Sequence, residues 1–326
     1  MKKINNKGFT LIEILGAIVI LGILMGIGVG AYTRYRKQTA ETSYDLIKKN
    51  AITAAENYFI DNTDEDEVTL QELVSKSYLE TIQDPLNKDK ECSGNVSIFD
   101  KTRASGNSLE KNSYMVNLVC SKHKSCLIMP NSLECDAENG IQTDGESSYY
   151  SAGLANHNFN DSMTLVARVR FNGFPENDFV DFFGNLQEAG GGLGISYPTH
   201  NFYFNIFTTT GKKEIISNVE ASKNVWYIVV GSFSEGKIKL YLDGRLIASA
   251  DATGAVTQSP MEMIIGGNPQ PDGQIVHPVS LSITDIVIFD TNISEAQITQ
   301  NFSNPKKAIR YQGTDALYNK TFSWEE

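Results

Sequence analysis

Between Leu11 and Ala31 the chain reads LIEILGAIVILGILMGIGVGA, twenty-one residues with Glu13 as the only charge. At ~1.5 Å per helical residue such a run crosses a hydrocarbon core of about 30 Å. Lys2, Lys3 and Lys7 precede it, which favours a cytoplasmic N-terminus with the remainder outside. A cleaved secretory signal fits less well, because the charge comes early in the run and GVGAYTRY stands where a small-residue cleavage site belongs. A buried core helix would not need an all-round apolar surface beside lysines. The run therefore predicts an anchor at the inner or cytoplasmic membrane.

The charge supports an anchor followed by water-facing parts. Residues 1–60 hold eight basic and four acidic side chains, residues 61–140 eight and fifteen, and residues 141–326 twelve and twenty, for a net charge of −11. This balance argues against a general nucleic-acid binder.

Lys7-Gly8-Phe9-Thr10-Leu11-Ile12-Glu13 resembles the class III signal of type IV prepilins and pseudopilins. The resemblance implies that a membrane-embedded aspartyl prepilin peptidase cuts between Gly8 and Phe9. Phe9 becomes the methylated N-terminus, and the apolar helix stays on the mature chain. It also implies, as partners, other pilin subunits, the pilus assembly platform and the membrane. Glu13 matches the family's acidic residue, fifth in the mature chain. A lone carboxylate in hydrocarbon is costly unless paired or protonated, and the new amine on Phe9 of a neighbouring subunit is a partner that would set axial register. The alternative is a glutamate that snorkels to the headgroups. Loss of residues 1–8 takes the formal charge from −11 to near −14. Gly16, Gly22, Gly26, Gly28 and Gly30 permit close helix approach. The helix is expected over 9–60, its membrane half 9–31. Tyr35, Ala40, Leu46, Ile47, Ala51, Ala54, Ala55 and Tyr58 form one apolar side above that.

Residues 32–135 read as a small head. Asp61–Glu67 is an acidic loop without calcium-loop spacing. A short helix follows, capped by Thr69 with Glu72 three residues on. TLQELVSKSYL before Asp84-Pro85 resembles the αβ-loop of Gram-positive pilins. Strands are expected at Gly94–Phe99, Ser113–Cys120 and Cys126–Met129. All four cysteines, Cys92, Cys120, Cys126 and Cys135, lie in this part. In an exported small domain an even number reads as disulfides, with Cys92–Cys120 and Cys126–Cys135 the simplest pairing. Zinc, joined by His123, and free thiols are the alternatives, but the spacing lacks C-x2-C knuckles.

Beyond a junction at 136–140 the period-2 pattern and Asp-Gly turns predict a β-sandwich. Asn224–Gly231 (NVWYIVVG) and Gly236–Arg245 (GKIKLYLDGR), then Ile264–Asn268 and Thr284–Asp290, resemble laminin-G-like domains of the concanavalin A-like lectin/glucanase fold. The expected fold is an α+β pilin module followed by an all-β concanavalin A-like jelly roll over 136–302. A tail, 303–326, is too apolar for free solution. Trp226 is expected in the core.

A fold of this kind hosts binders and hydrolases alike, so chemistry must come from a site. Asp178 with Asp181, and Asp285 with Asp290, are the nearest carboxylate pairs. Their separations of three and five put the members on opposite faces of a strand, so no enzyme is expected. Tyr149, Tyr150, Tyr197 and Tyr203 are candidates for stacking on sugar rings, alongside Phe202. The resemblance raises calcium at one rim, with Asp161, Asp178, Asp251 and Asp272 as contributors. His157, His200 and His277 read as surface histidines. The expectation is a minor or tip subunit of a type IV pilus displaying an adhesive domain for a glycan or a matrix or host protein. A pseudopilin of a secretion or DNA-uptake system touching cargo is the alternative, and an anchored carbohydrate-active enzyme the weakest.

Overall fold

The computed structural model describes residues 11–100, 113–121, 123–129, 133–136, 139–146, 148–174, 179–272 and 274–322; the side chains of 13, 21–31, 99, 100, 113, 129, 134 and 136 also fall outside the description. Gly8 and Phe9, and the side chain of Glu13, are therefore outside it.

Helix α1 runs unbroken over Leu11–Asp61, past Gly26, Gly28 and Gly30. Leu11, Ile12, Leu15 and Ile18 stand exposed on its lower half. Among the described residues no helix is long and apolar enough to cross a membrane. The expected span draws also on residues 9 and 10 and on the side chains of 13 and 21–31, which are not described.

The upper half buries Ala40, Tyr44, Ala51, Ala54, Ala55 and Tyr58 against the head. Tyr35 and Leu46, expected on that side, are exposed instead. At 100° per residue, position 46 points away from the face shared by 40, 44, 51, 55 and 58. The head adds β1 (Glu67–Thr69), α2 (Leu70–Ser75), the hairpin β2 (Gln83–Asp84) and β3 (Asn87–Glu91), and then β4 (Ser93–Asp100), β5 (Ser113–Cys120), β6 (His123–Met129) and β7 (Leu133–Asp136). Thr69 caps α2, its hydroxyl accepting the Glu72 amide. The acidic loop is consumed locally: Glu65 accepts from the Tyr58 hydroxyl at 2.6 Å and Asp61 from the Tyr78 hydroxyl at 2.6 Å.

The sandwich contributes β8 (Gly140–Gln142), β9 (Tyr150–Ser151), β10 (Met163–Phe171), β11 (Val180–Gly184), β12 (Gly191–Ile195), β13 (Asn201–Thr208), β14 (Gly211–Glu220), β15 (Trp226–Ser234), β16 (Lys237–Leu242) and β17 (Arg245–Asp251). It ends with β18 (Ile264–Ile265), the hairpin β19 (Asn268–Pro269) and β20 (Ile275–Val276), β21 (Leu281–Phe289), helix α3 (Glu295–Asn301) and β22 (Tyr318–Thr321). One sheet has the order β14-β13-β12-β11-β18-β9. The other runs without a break from the head into the sandwich, β1-β4-β5-β6-β7-β8-β21-β10-β15-β16-β17, with β22 also on β21. Ile141 of β8 pairs with Cys135 on one side and Ile283 on the other. The expected junction is thus a strand inside a sheet. Gly140 holds φ +66°, and a Cβ there would overlap the carbonyl of Ile283, so only glycine fits this crossing. The core follows the sheet: Ile128, Leu133 and Ile141 pack in one cluster with Met163, Phe182 and Phe204.

Residues 303–322 return along the outer side of the long sheet and supply β22. Their clasp is Asp285, 1% exposed. One carboxylate oxygen accepts from the Thr284 hydroxyl (2.7 Å) and the Ile309 amide (3.0 Å). The other accepts from the Arg310 amide (3.0 Å) and the Thr321 hydroxyl (2.8 Å). Arg168 donates through Nε and Nη2 to the Pro305 carbonyl. Its guanidinium lies 3.9 Å from the ring centre of Trp226. Trp226 is therefore on the sheet's outer side between Arg168 and Arg170, outside the core cluster. Its cross-strand partner Arg170 faces the same way.

Asp285→Ala would leave two amides and two hydroxyls without their acceptor, a loss of about 3 kcal/mol. Calorimetry should show a lower Tm, and limited proteolysis should cut first within 303–317. Cleavage elsewhere first would show that Asp285 does not hold the strap.

Candidate functional site

The outer face of the six-stranded sheet is built around a strand with almost no side chains. In β12, Gly191-Gly192-Leu193-Gly194-Ile195, Leu193 and Ile195 turn into the core. Alternation then points Gly192 and Gly194 outward. The neighbouring strands fill this floor unevenly. Tyr203, paired with Gly194, lays its ring over that glycine, where a Cβ would collide with it. Its hydroxyl donates to Asp181 Oδ1 at 2.7 Å. Gly192 pairs with Asn205 and is itself buried. A Cβ built on Gly192 would lie 3.4 Å from Asn205 Oδ1, 3.4 Å from Asp181 Oδ1 and 3.5 Å from Leu186 Cβ. Gly192 thus lies under a methyl-sized notch with two oxygens and one methylene facing it.

Asn205 is 2% exposed, and its Oδ1 has no hydrogen-bond partner among the described residues. A buried amide oxygen left without a donor costs about 1–3 kcal/mol. Asp181 is the second unusual group. Burial pushes its carboxyl above the ordinary carboxylate range, and the Tyr203 hydroxyl, Lys212 and His277 pull the other way, while Glu214 adds to the rise. Around the notch, Phe179 (48% exposed) sets its ring 6.2 Å from that of Tyr203. Ile216 lies opposite Tyr203 on β14. Lys212 and Glu214 are tied to each other at 2.9 Å. The β19–β20 hairpin runs beside β11. The face thus joins an apolar, partly aromatic rim to a polar notch rich in acceptors.

The structure separates the residues singled out from sequence. Tyr203 belongs to this face. Both it and Tyr150 are only 3% exposed; Tyr150 lies elsewhere, its hydroxyl meeting that of Tyr318 and its ring packing edge-on against Phe322. Phe202 is also in the core. Tyr149 is half-buried, and Tyr197 is exposed before a cis Pro198. Asp178 lies outside the described residues. Asp161 is exposed, Asp251 pairs with Lys237 at 3.0 Å and Asp272 accepts the Gln274 amide within its own turn. Among the described residues no group of three or more His, Cys, Asp or Glu could hold a metal ion. Cys92–Cys120 and Cys126–Cys135 are disulfides. This corrects the zinc alternative, since a disulfide offers no thiolate. His157 is bonded to Asp290 at 3.1 Å and His200 stacks on Phe174 at 4.3 Å. His123, offered as a zinc partner, instead stacks on Tyr44 at 3.6 Å. Asn205, Gly192 and Gly194 were not singled out from sequence. The available signal was a strand, GGLGI, with glycine at both outward positions.

Residues 144–299 match the concanavalin A-like lectin/glucanases superfamily, and residues 3–29 match the prokaryotic N-terminal methylation motif. The chain joins a pilin-type methylation motif to a lectin-like domain. Among solved structures it is similar to a Trypanosoma rangeli sialidase in complex with 2,3-difluorosialic acid (15% identity, 52% of this chain and 29% of that one, TM-score 0.39). It is also similar to a SAP-like pentraxin from Limulus polyphemus (15%, 54% and 87%, 0.38). A third is the CBM40 domain of a Ruminococcus gnavus IT-sialidase bound to alpha2,3 sialyllactose (17%, 51% and 97%, 0.40). The chain spans less than a third of the sialidase's length. Among curated proteins no match is found.

In the lectin-like domain Asp181 holds its proton to a higher pH folded than unfolded. Stability therefore declines as pH climbs from the ordinary carboxylate range through the raised value. Asp181→Asn keeps the shape and an acceptor for Tyr203 without the charge. The Tm of this variant minus that of the wild type should grow as pH rises from 4 to 8. A difference that stays flat with pH would show that Asp181 does not titrate as its burial requires.

Proposed function

We propose that the protein is a pilin-like surface subunit that binds saccharide on the outer face of its six-stranded sheet. Leu11–Ala31 holds it in the membrane before assembly and packs in the filament core afterwards. Prepilin peptidase and other pilin subunits are its processing and assembly partners. The lectin-like lobe is large for a subunit repeated along a helical filament, which favours a minor or tip position and an adhesive role. The observation that carries the reading is the exposed ring of Phe179 beside Tyr203 and the exposed Ile216, on a face that also carries Lys212 and Glu214. Sugars meet such faces with apolar C–H surface on an aromatic ring and hydroxyls on polar groups.

The carboxylates of the long sheet fit binding without turnover. Asp285 is saturated by four donors within the fold, and Asp290 is engaged by His157.

The full-length chain in a detergent without sugar headgroups should bind saturably on a glycan array. Phe179→Ala, at an exposed ring, should weaken that binding about tenfold, the scale of one aromatic contact. Silence across the array would overturn saccharide binding and leave the pseudopilin reading in place.

A further inference from the structure

Directly above the apolar run, α1 carries a basic and aromatic collar. Tyr32 and Tyr35 are 61% and 68% exposed, and Arg34, Arg36 and Lys37 beside them are exposed as well. No acidic residue lies between Glu13 and Glu41. Among the described residues no carboxylate pairs with these three cations. Arg36 donates to the Leu86 carbonyl at 3.3 Å and holds its guanidinium 6.0 Å from the ring centre of Tyr32. That contact brings the β2–β3 hairpin to the same level, where Leu86 is 44% exposed. At 100° per residue, Tyr32, Arg34, Tyr35, Arg36 and Lys37 point to every side of the helix. A seam for one neighbouring helix or subunit would occupy a single stripe, whereas a layer that surrounds the helix calls for a ring. The depth fits such a layer. Leu11–Ala31 rises about 31 Å as a helix, and the collar spans a further ~9 Å. With the run filling a hydrocarbon core of about 30 Å, the collar falls in the headgroup zone, which brings a bilayer to roughly 40–45 Å.

We infer that the collar of Tyr32, Arg34, Tyr35, Arg36 and Lys37 binds the phosphates of anionic lipid headgroups, in the leaflet away from residues 1–8. This rests on the reading of Leu11–Ala31 as a membrane anchor and goes beyond it. The three cations give charge-assisted hydrogen bonds to phosphate oxygens. The two tyrosines suit the same depth, with ring toward the acyl boundary and hydroxyl toward water. Leu86 adds an apolar tip beside them. Loss of residues 1–8 removes Lys2, Lys3 and Lys7, so in the processed chain the collar is the cationic cluster that adjoins the bilayer. It fixes the depth of the head above the membrane.

Arg34 and Lys37 can be changed without disturbing the fold, because both are exposed and neither is paired with a carboxylate of the described residues. The full-length wild type and Arg34→Gln/Lys37→Gln, in a neutral detergent, would be titrated with phosphatidylglycerol and with phosphatidylcholine and read by native mass spectrometry. The wild type is expected to hold phosphatidylglycerol about fivefold more tightly, the scale of one cation at a membrane surface. The collar variant should keep its Tm and lose most of that preference. Lys2→Gln/Lys3→Gln/Lys7→Gln should keep the preference. Equal binding of the two lipids by the wild type overturns the inference. So does a preference that survives in the collar variant or disappears with the three lysines, which would place the lipid at the extreme N-terminus. Displacement of the lipid by inorganic phosphate at equal concentration would show a free-anion site and overturns the lipid assignment. Weaker self-association of the collar variant with its lipid preference intact would turn the collar toward a second subunit and also overturns it. Alkaline carbonate washing of vesicles reads the anchor separately. Release of the wild type overturns anchoring and this inference with it, whereas retention without lipid preference overturns the inference alone.

Discussion

Strand β21 has one edge to share, and two segments far apart in sequence divide it. Ser282 and Ile283 pair with β8, whereas Asp285–Ile288 pair with β22. Through β8 the sheet of the head becomes the sheet of the sandwich, and through β22 the C-terminal segment is returned to it. Domains within a chain usually meet at linkers crossed by few contacts. Here the crossing is a hydrogen-bonded ladder with a continuous core beneath it, in which Cys126, Cys135 and Ile141 pack together with Met163 and Leu193. A pull on α1 is therefore passed to the lectin-like lobe through backbone hydrogen bonds and packed side chains.

Two enclosed carboxylates show how neighbours assign roles. Asp285 has four short donors, all from the fold it holds together. Its hydrogen-bonding capacity is used, and its chemistry is structural. Asp181 has one such donor, Tyr203, and pays for its burial with a raised pKa. A fold gains little stability from such a group, and incompletely satisfied polar groups of this kind concentrate at functional sites. The glycines opposite it point the same way, since a strand without outward side chains contributes little packing of its own.

Local chemistry in the sequence was legible where the physics is local. Asp243-Gly244 and Glu235-Gly236 do adopt the paired left-handed conformation of tight hairpins, with φ of +49° and +76°, and +51° and +71°. Thr69 caps α2, and Ser294 with Gln297 forms a capping box on α3. Alternation marks strands of the sandwich, Met163–Phe171 and Lys237–Leu242 among them. Alternation says that two faces exist but not which is covered. Trp226 thus emerged on the outer side beneath two arginines, and Tyr150 in the interior. Short strands such as Gly140–Gln142 carry too few residues to show any period.

By itself the sequence determined the N-terminal signal, the long helix, the confinement of all four cysteines to the head and the all-β character of the second half. Each of these follows from residues close together along the chain. Only the tertiary structure decided that head and sandwich share one sheet, that Asp285 is a clasp and that Asp181 and Asn205 face one another over Gly192. These depend on strand register between segments tens of residues apart. Register is set by the packing of the whole core, because a slip of one residue would turn each strand's buried face to water.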